Sequence, residues 1–507
     1  MKSLNVGYHF SLVANKCKNK TALIINNKNI SFFELEKLSN KIANLFLKKK
    51  FKKNQNICII EKKNFYSFAA IIACLKLGIS YTYIDRLSPT NRTKKILKNI
   101  RSICIISSEN FKIKKINQID LTKKEILKTL PETIKPQNYA KVDHKTIAYI
   151  MFTSGSTGYP KGVSISHLNL ISFIKWSKKE FGIKKNDISS NLNPLYFDNS
   201  IFDIFANLFN GNTLCCFHRV ELINPNQLIK KLLKNKVSIW FSVPSLLVYC
   251  LKFKSINLKN FRNVRKIIFG GEGFPKMSLK NLYEITKKNS ELINVYGPTE
   301  CTCICSTYKI RKKDFKKNEM SRYAPLGKTL SKGFFYYIRD ENNKIAKKSN
   351  IGELIIGGKN VGIGYYRNKK ETSEKFIKDP FNKLNKDRVY KTGDLVYKDK
   401  NGYLYFSSRK DNQIKFNGYR IELEEIEQSI NKVKGVKECA VCFGKKNNID
   451  QIIAFTVHDN IYNKIKESID KDLPKYMIPQ LIITKKNLPK NPSGKIDRKL
   501  LKNNFFD

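Results

Sequence analysis

Tyr149-Ile-Met-Phe-Thr-Ser-Gly-Ser-Thr-Gly-Tyr-Pro-Lys-Gly-Val163 begins as an apolar run and turns into a loop dense in Gly, Ser and Thr, closed by Pro160-Lys161-Gly162. The apolar start reads as a buried strand. The small residues let backbone N–H groups approach phosphate oxygens, while the hydroxyls and Lys161 add donors and positive charge. The GxxxxGK[ST] spacing of a Walker A loop is missing. The same composition also suits a plain surface loop, so the segment has to be weighed with its surroundings.

Outward from this segment, short apolar strands alternate with amphipathic helical stretches. Ile57-Cys-Ile-Ile60, Phe65 to Leu77 and Ser80-Tyr-Thr-Tyr-Ile84 form one such strand–helix–strand series. The alternation predicts an α/β fold with largely parallel sheets. Around 352–406 the pattern changes: Gly352-Glu-Leu-Ile-Ile356 and Gly402-Tyr-Leu-Tyr-Phe406 read as short strands between Gly- and Asn-rich turns, as in a small antiparallel or barrel-like unit. From about 412 a βααβ-like tail is expected, with a charged helix from Glu422 to Lys432. With no low-complexity linker, the boundary is expected at a short hinge near Ser408 to Asp411. That gives an N-terminal domain over 1–408, a hinge at 409–411 and a small α+β C-terminal domain over 412–507.

The chain has 507 residues, 41% of them hydrophobic, which suits a multidomain globular protein. Its 96 Lys and Arg against 42 Asp and Glu give a formal charge of +54. The lysines are spread from end to end and form no compact basic block with interleaved aromatics, so nucleic acid is not expected as a partner. A basic surface does suit an acidic protein or a phosphate-rich substrate. Twelve cysteines without a signal peptide point to reduced thiols and a cytoplasmic location. No stretch approaches the length of a membrane span. The pair Cys439 and Cys442 has no second pair at zinc spacing, and Glu438 to Phe443 reads as a buried strand. Cys301-Thr-Cys-Ile-Cys305 also alternates like a strand. Five scattered histidines offer no metal cluster.

Three further segments add chemistry. Asn294-Val-Tyr-Gly-Pro-Thr-Glu300 sets an aromatic ring, a turn and an acid together; a ring can stack on a base, and a carboxylate can hold Mg²⁺ against phosphate oxygens. Tyr390-Lys-Thr-Gly-Asp394 offers a carboxylate suited to a pair of ribose hydroxyls. Asn491-Pro-Ser-Gly-Lys-Ile-Asp-Arg498 puts Lys495 on a tight turn. Each alone could be a capped turn or a solvated charge.

In this order, the set resembles the adenylate-forming superfamily of acyl-CoA synthetases, luciferases and nonribosomal peptide synthetase adenylation domains. Lys76 to Asp85 with Pro89 and Arg92, Gly352-Glu-Leu, Gly362 to Arg367, and Arg409 to Glu422 extend the resemblance over nearly the whole chain. It implies a large core of stacked mixed and parallel sheets with helices, a small barrel-like unit, and a mobile C-terminal domain. Within the superfamily the chain is most similar to amino-acid adenylation enzymes, particularly D-alanine–carrier protein ligases. That rests on Asp198 in Tyr196-Phe-Asp-Asn-Ser-Ile-Phe-Asp203, matching the aspartate that pairs with a substrate α-ammonium. A buried ammonium needs such a carboxylate, although Phe-Asp-Asn-Ser would also suit a turn or helix cap.

The resemblance implies ATP and Mg²⁺ as cofactors and assigns residues to them. Thr153, Ser154, Gly155, Ser156, Thr157 and Lys161 would cradle phosphates, with Thr299 beside them. Glu300 and Thr157 would hold the metal. Asp394, with Arg409 nearby, would take the ribose, and Asn294, Tyr296 and Gly297 the adenine side. Lys495 would bridge the substrate carboxylate and the phosphate. Asp198, Asn199, Phe202, Phe241, Ile268, Gly270, Val295, Cys303 and Ile304 would line an acid pocket whose walls are mostly apolar or small, which favours a neutral side chain. The D-alanine ligases carry a cysteine at the position of Gly270 and smaller neighbours than Phe202 and Phe241. The implied reaction forms an acyl-adenylate with release of pyrophosphate, then transfers the acyl group to a thiol. With no GGxS attachment pattern in the chain, the expected acceptor is a separate phosphopantetheinyl carrier protein. The rival reading is an acyl-CoA synthetase for an acid without an amino group.

Overall fold

The computed structural model describes residues 4–111, 113, 116–155, 159–315, 323–328, 333–347, 349–382, 388–447, 449–491 and 494–506. It divides into two compact units. The first comprises Met1–Ile84, Ile100–Met151 and Gly162–Lys410; the second comprises Asp85–Asn99, Phe152–Lys161 and Asp411–Asp507.

The strand–helix–strand series expected near the start forms as strand Asn56–Ile59, helix Phe65–Lys76 and strand Ser80–Tyr83. Asn64 starts the helix by accepting the Ser67 N–H, as N-cap side chains do. The helix is buried continuously from Ser67 to Lys76, so its apolar residues form no one-sided stripe. Lys76 is tolerated inside because Glu36 pairs with its Nζ at 2.8 Å and Ser39 and Asn40 accept from it. Burial still pulls the ammonium down to about 8.

An eight-stranded sheet forms the framework of the first unit. Its six inner strands, from Glu291–Tyr296 across to Thr21–Ile25, are parallel, and each edge strand is antiparallel to its neighbour. A seven-stranded sheet carries Asn56–Ile59, Ser80–Tyr83 and Ile147–Thr153 side by side. Many inner strands are buried at every position, the pattern of parallel strands covered on both faces. In the eight-stranded sheet, the C-terminal ends of the parallel strands bring Asn191, Ser242, Gly270 and Tyr296 to one edge, where open α/β sheets bind ligands.

The change of pattern near 352–406 is an antiparallel five-stranded sheet built on the long strand Arg388–Lys398. Gly352–Gly358 pairs along it. The other expected strand begins later, at Leu404, because Asp399 accepts the Asn401 and Tyr403 N–H groups and closes a turn there.

Two expectations are corrected. Cys301–Cys305 is not a strand: Thr299–Cys301 is a 3-10 turn, Thr302 and Cys303 take left-handed backbone angles of 57° and 75°, and the strand starts at Ser306. The three cysteines are nevertheless buried, so alternation recorded burial without extension. The tail is not βααβ. Its elements run strand Gln413–Phe416, strand Tyr419–Glu422, helix Leu423–Asn431, strands Val436–Lys446 and Ile449–His458, helix Tyr462–Asp472, strand Leu481–Thr484 and helix Arg498–Phe506. The two long strands form one hairpin. Cys439 and Cys442 lie on the first of them and belong to different apolar clusters, as residues three apart on a strand must. They therefore share no metal site.

Among the described residues no helix is long and apolar enough to cross a membrane. Nor does any group of three or more His, Cys, Asp or Glu among them suit a metal ion.

Candidate active site

Asp198 stands at the start of a short helical stretch, Asn199–Ile201, that continues as a π-helix over Phe202–Asn207. Such wide turns are rare and concentrate at functional sites. The Asp198 side chain makes no capping hydrogen bond, which removes the simplest structural explanation for it. Its Oδ2 instead accepts the Thr299 hydroxyl at 2.5 Å. Its charge also reaches the buried Tyr149 hydroxyl and the Cys303 thiol, adding to the burial that raises both.

Several of the expected wall residues are neighbours of one another on adjacent strands. Phe241 is in register with Ile268, and Gly270 with Val295. The Phe202 and Phe241 rings meet edge to face at 4.9 Å, a favoured aromatic geometry. Phe202, Phe241, Ile268, Val295, Cys303 and Ile304 are all buried. A Cβ on Gly270 would lie 2.4 Å from the Val295 carbonyl oxygen, so the backbone there requires glycine. Asn199 lies beside Gly271, its amide 3.8 Å from the point a Cβ on that glycine would occupy.

Tyr296, Asp394 and Arg409 form a second cluster. The Tyr296 hydroxyl donates to Asp394 Oδ2 at 2.5 Å, and Arg409 Nη1 donates to Asp394 Oδ1 at 2.7 Å. Asp394 and Arg409 face each other across paired strands. Burial, and next the Asp394 charge, push the Tyr296 phenol far up. The Asn294 amide donates to the Pro325 carbonyl. Gly297 is fixed by close approach: a Cβ there would lie 2.3 Å from the Cys303 carbonyl oxygen. Glu300 is fully buried in the 3-10 turn beside Thr299 and accepts the Tyr365 hydroxyl at 2.8 Å.

The second unit holds the rest. Thr153 ends its strand. Ser154 Oγ donates to the Arg420 carbonyl, and the Gly155 N–H donates to Glu425 Oε2 at 3.1 Å. Glu425 is also paired with Arg92. A Cβ on Gly155 would overlap the Tyr159 carbonyl oxygen. Ser156 and Thr157 lie outside the described residues. Lys161 opens the following strand, and its charge is among those that counter the burial raising Glu422. Lys495 is exposed on a turn whose ends are tied by Asn491 N–H to Lys495 O at 2.7 Å and by Lys495 N–H to Asn491 Oδ1 at 3.0 Å.

Motif reading did not single out the half-buried Lys63 and the buried Asn191, Asn193 and Asp203, which form a polar group behind Phe202 and Phe241, although Asp203 closes the quoted Tyr196 to Asp203 segment. Nor did it find Tyr365 as the partner of Glu300, although Tyr365 falls in the quoted Gly362 to Arg367 segment.

Each unit, taken by itself, offers groups of the kind that ATP and Mg²⁺ require. The Gly155 N–H already serves an anion, the Glu425 carboxylate, as phosphate-loop amides do. Asp394 retains acceptor capacity after Tyr296 and Arg409, since a carboxylate offers about four lone-pair positions. Mg²⁺ is commonly held by one or two carboxylates plus phosphate oxygens, so Glu300 needs no cluster of acids around it.

The chain matches the family described as AMP-binding enzyme over residues 10–366 and the AMP-binding enzyme C-terminal domain over residues 425–495. It is 31% identical over 497 residues to bacitracin synthase 1 of Bacillus licheniformis, covering 97% of this chain but only 9% of that much longer protein. It is 30% identical over 446 residues to D-alanine–D-alanyl carrier protein ligase of Bacillus cytotoxicus, covering 85% of this chain and 86% of the ligase. An artificially fused adenylation–PCP di-domain NRPS from Klebsiella oxytoca shares the fold with a TM-score of 0.83 at 19% identity, over 94% of this chain and 93% of that one. A double mutant of o-succinylbenzoate CoA synthetase from Bacillus subtilis does so at 0.85 and 21%, over 98% of each. With both parts of the family matched in order and its fold reproduced, the chain belongs to the AMP-binding enzyme family of adenylate-forming ligases.

Proposed function

We propose that this enzyme adenylates a small neutral amino acid with ATP, releasing pyrophosphate, and passes the aminoacyl group to the phosphopantetheine thiol of a separate carrier protein. One observation supports the amino-acid reading: the half-buried Asp198 side chain makes no helix-capping hydrogen bond, and a carboxylate beside apolar residues would offset the desolvation cost of an α-ammonium. Phe202, Phe241, Ile268, Val295 and Ile304 bring no second charge, which favours a neutral side chain.

In the first half-reaction the substrate carboxylate, already a nucleophile at neutral pH, attacks the α-phosphorus and pyrophosphate leaves. Charge gathers on phosphoryl oxygens, so positioning and electrostatic stabilisation dominate. Lys495 bridges carboxylate and phosphate, Lys161 and the 153–157 loop hold the departing phosphates with Thr299, and Asp394 and Arg409 fix the ribose. Glu300 and Thr157 would hold Mg²⁺, which when bound would supply positive charge against the phosphates. In the second half-reaction the carrier thiol attacks the carbonyl and AMP leaves. A hinge at 409–411 lets the C-terminal part withdraw Lys495 between the halves.

The carrier assignment draws support from the ligase relative and from the basic surface, which complements an acidic partner. Twelve cysteines, eleven of them buried, support a reducing, cytoplasmic setting. The test is ATP–pyrophosphate exchange with L- and small D-amino acids, D-alanine included, with fatty and aryl acids as controls. Exchange with one small neutral amino acid supports the proposal. Exchange only with acids lacking an amino group replaces it with acyl-CoA synthesis.

A further inference from the structure

Behind the Phe202 and Phe241 rings lies a polar group that none of the implied site residues includes. Asp203, fully buried, follows Phe202 within the π-helix. The Asn191 amide donates to its Oδ2 at 2.8 Å, and the Asn193 amide donates to Oδ2 and Oδ1 at 3.1 and 3.3 Å. The same Asn193 amide reaches the Phe241 carbonyl at 3.2 Å. Lys63 closes the arrangement: its Nζ donates to the carbonyls of Asn191, Asn193 and Phe217 at 2.9, 3.1 and 2.8 Å. One carboxylate thus ties the helix that bears Phe202 to the strand that bears Phe241, through a single asparagine.

Buried polar groups at this density are costly unless satisfied. Asn191 Oδ1 has no hydrogen-bond partner among the described residues, but the bonds from Asn191 and Asn193 satisfy the Asp203 carboxylate and fix one arrangement of its surroundings. An apolar core would hold these two rings as well. A carboxylate, two amides and an ammonium hold them in one place.

We infer that Asp203, acting through Asn193 and supported by Lys63, is a specificity-determining positioning residue that sets the depth of the acid pocket by fixing Phe202 against Phe241. The inference rests on the proposed acid pocket. Asp203 touches no reacting atom; it acts on which side chains the pocket accepts.

Asp203 and Lys63 are linked through Asn191 and Asn193, and the surrounding charges agree with that arrangement. Burial is the main influence on both groups, pushing the Asp203 carboxyl up and the Lys63 ammonium down, while each moderates the other. The other groups facing Lys63 are Cys216, Lys231 and Glu221, and Lys231 is itself paired with Glu221 at 2.7 Å.

The experiment compares kcat/KM in pyrophosphate exchange for the best acid and for its homologue one methylene larger, in wild type, Asp203→Asn and Asn193→Ala. A methylene is worth roughly tenfold to two-hundredfold in a well-shaped pocket. Both variants are expected to shrink that ratio by at least about fivefold, with KM for ATP unchanged. The double variant Asp203→Asn/Lys63→Met, which removes both charges, is expected to keep the relaxed ratio while regaining stability. An unchanged ratio in folded variants, with only thermal stability lowered, overturns the inference and leaves the group purely structural. Should Asp203→Asn not fold, the Asn193→Ala ratio decides. If wild type uses only acids without an amino group, the amino-acid reading fails, and the ratio measured on those acids still decides the role of Asp203.

Discussion

The Tyr296 hydroxyl donates to Asp394 at 2.5 Å, while Arg409 holds the opposite carboxylate oxygen at 2.7 Å. The carboxylate proposed to take the ribose is therefore oriented from both sides before any nucleotide arrives. Hydrogen bonds to charged groups contribute about 1.5–3 kcal/mol. Tyr296→Phe is expected to raise KM for ATP by about tenfold to a hundredfold, with KM for the acid little changed. Exchange kinetics with each substrate varied in turn measure both.

Asp198→Asn keeps the shape of the pocket entrance and removes the charge. Leaving a buried ion without its partner costs about 3–5 kcal/mol. Amino-acid-dependent exchange should therefore fall by roughly 10²–10³-fold in kcat/KM. Retained activity in this variant, measured on the same amino acid, would show that the ammonium is bound elsewhere.

Lys495→Ala separates the half-reactions. Loss of one electrostatic stabiliser typically costs about 10²–10³ in rate, and that loss should appear in adenylate formation. Thioester formation from presupplied aminoacyl-adenylate should be nearly unaffected. Equal loss in both assays contradicts the proposed division of labour.

Gly270→Cys introduces the residue that the D-alanine ligases carry at this position. Here a Cβ would lie 2.4 Å from backbone, the Val295 carbonyl oxygen, and 2.6 Å from the Val295 side chain. Overpacking of this kind costs about 1–3 kcal/mol, which denaturant unfolding should register as a lower midpoint.

His167 gives the first unit an acid sensitivity. It is fully buried, its Nδ1 accepts the Val6 N–H at 3.2 Å, and burial holds its pKa down at about 3 against 6.5 for a free side chain. Below 6.5 the unfolded chain binds a proton that the fold refuses. The contribution of neutral His167 is therefore complete above pH 6.5 and is lost as pH falls from 6.5 toward 3, with a limiting slope of about 1.4 kcal/mol per pH unit. Stability measured against pH should show a steeper loss over that window in wild type than in His167→Gln.

Local chemistry was the legible part of this sequence. Strand Asn56–Ile59 and helix Phe65–Lys76 follow from apolar runs and an Asn cap, and the ordered motifs made the family legible. Patterns that report burial alone misled. Cys301 to Cys305 alternate in burial potential, but Thr302 and Cys303 take left-handed backbone that no periodicity signals. The tail hairpin was half legible: Glu438 to Phe443 reads as a buried strand, while its partner Ile449–His458 was not recognised. Lys63, Asn191, Asn193 and Asp203 escaped because they converge from separate segments, and only their burial together gives them meaning.

The adenylate this enzyme family makes is an electrophile, and the proposed pocket contains a sulfur atom of its own. Cys303 lies close enough to Asp198 to feel its charge, and burial together with that charge raises the thiol far above the range in which it ionises. Thiolate, not thiol, is the nucleophile. Burial first, and the Asp198 charge second, thus hold this sulfur as a thiol, the form that does not attack an electrophile.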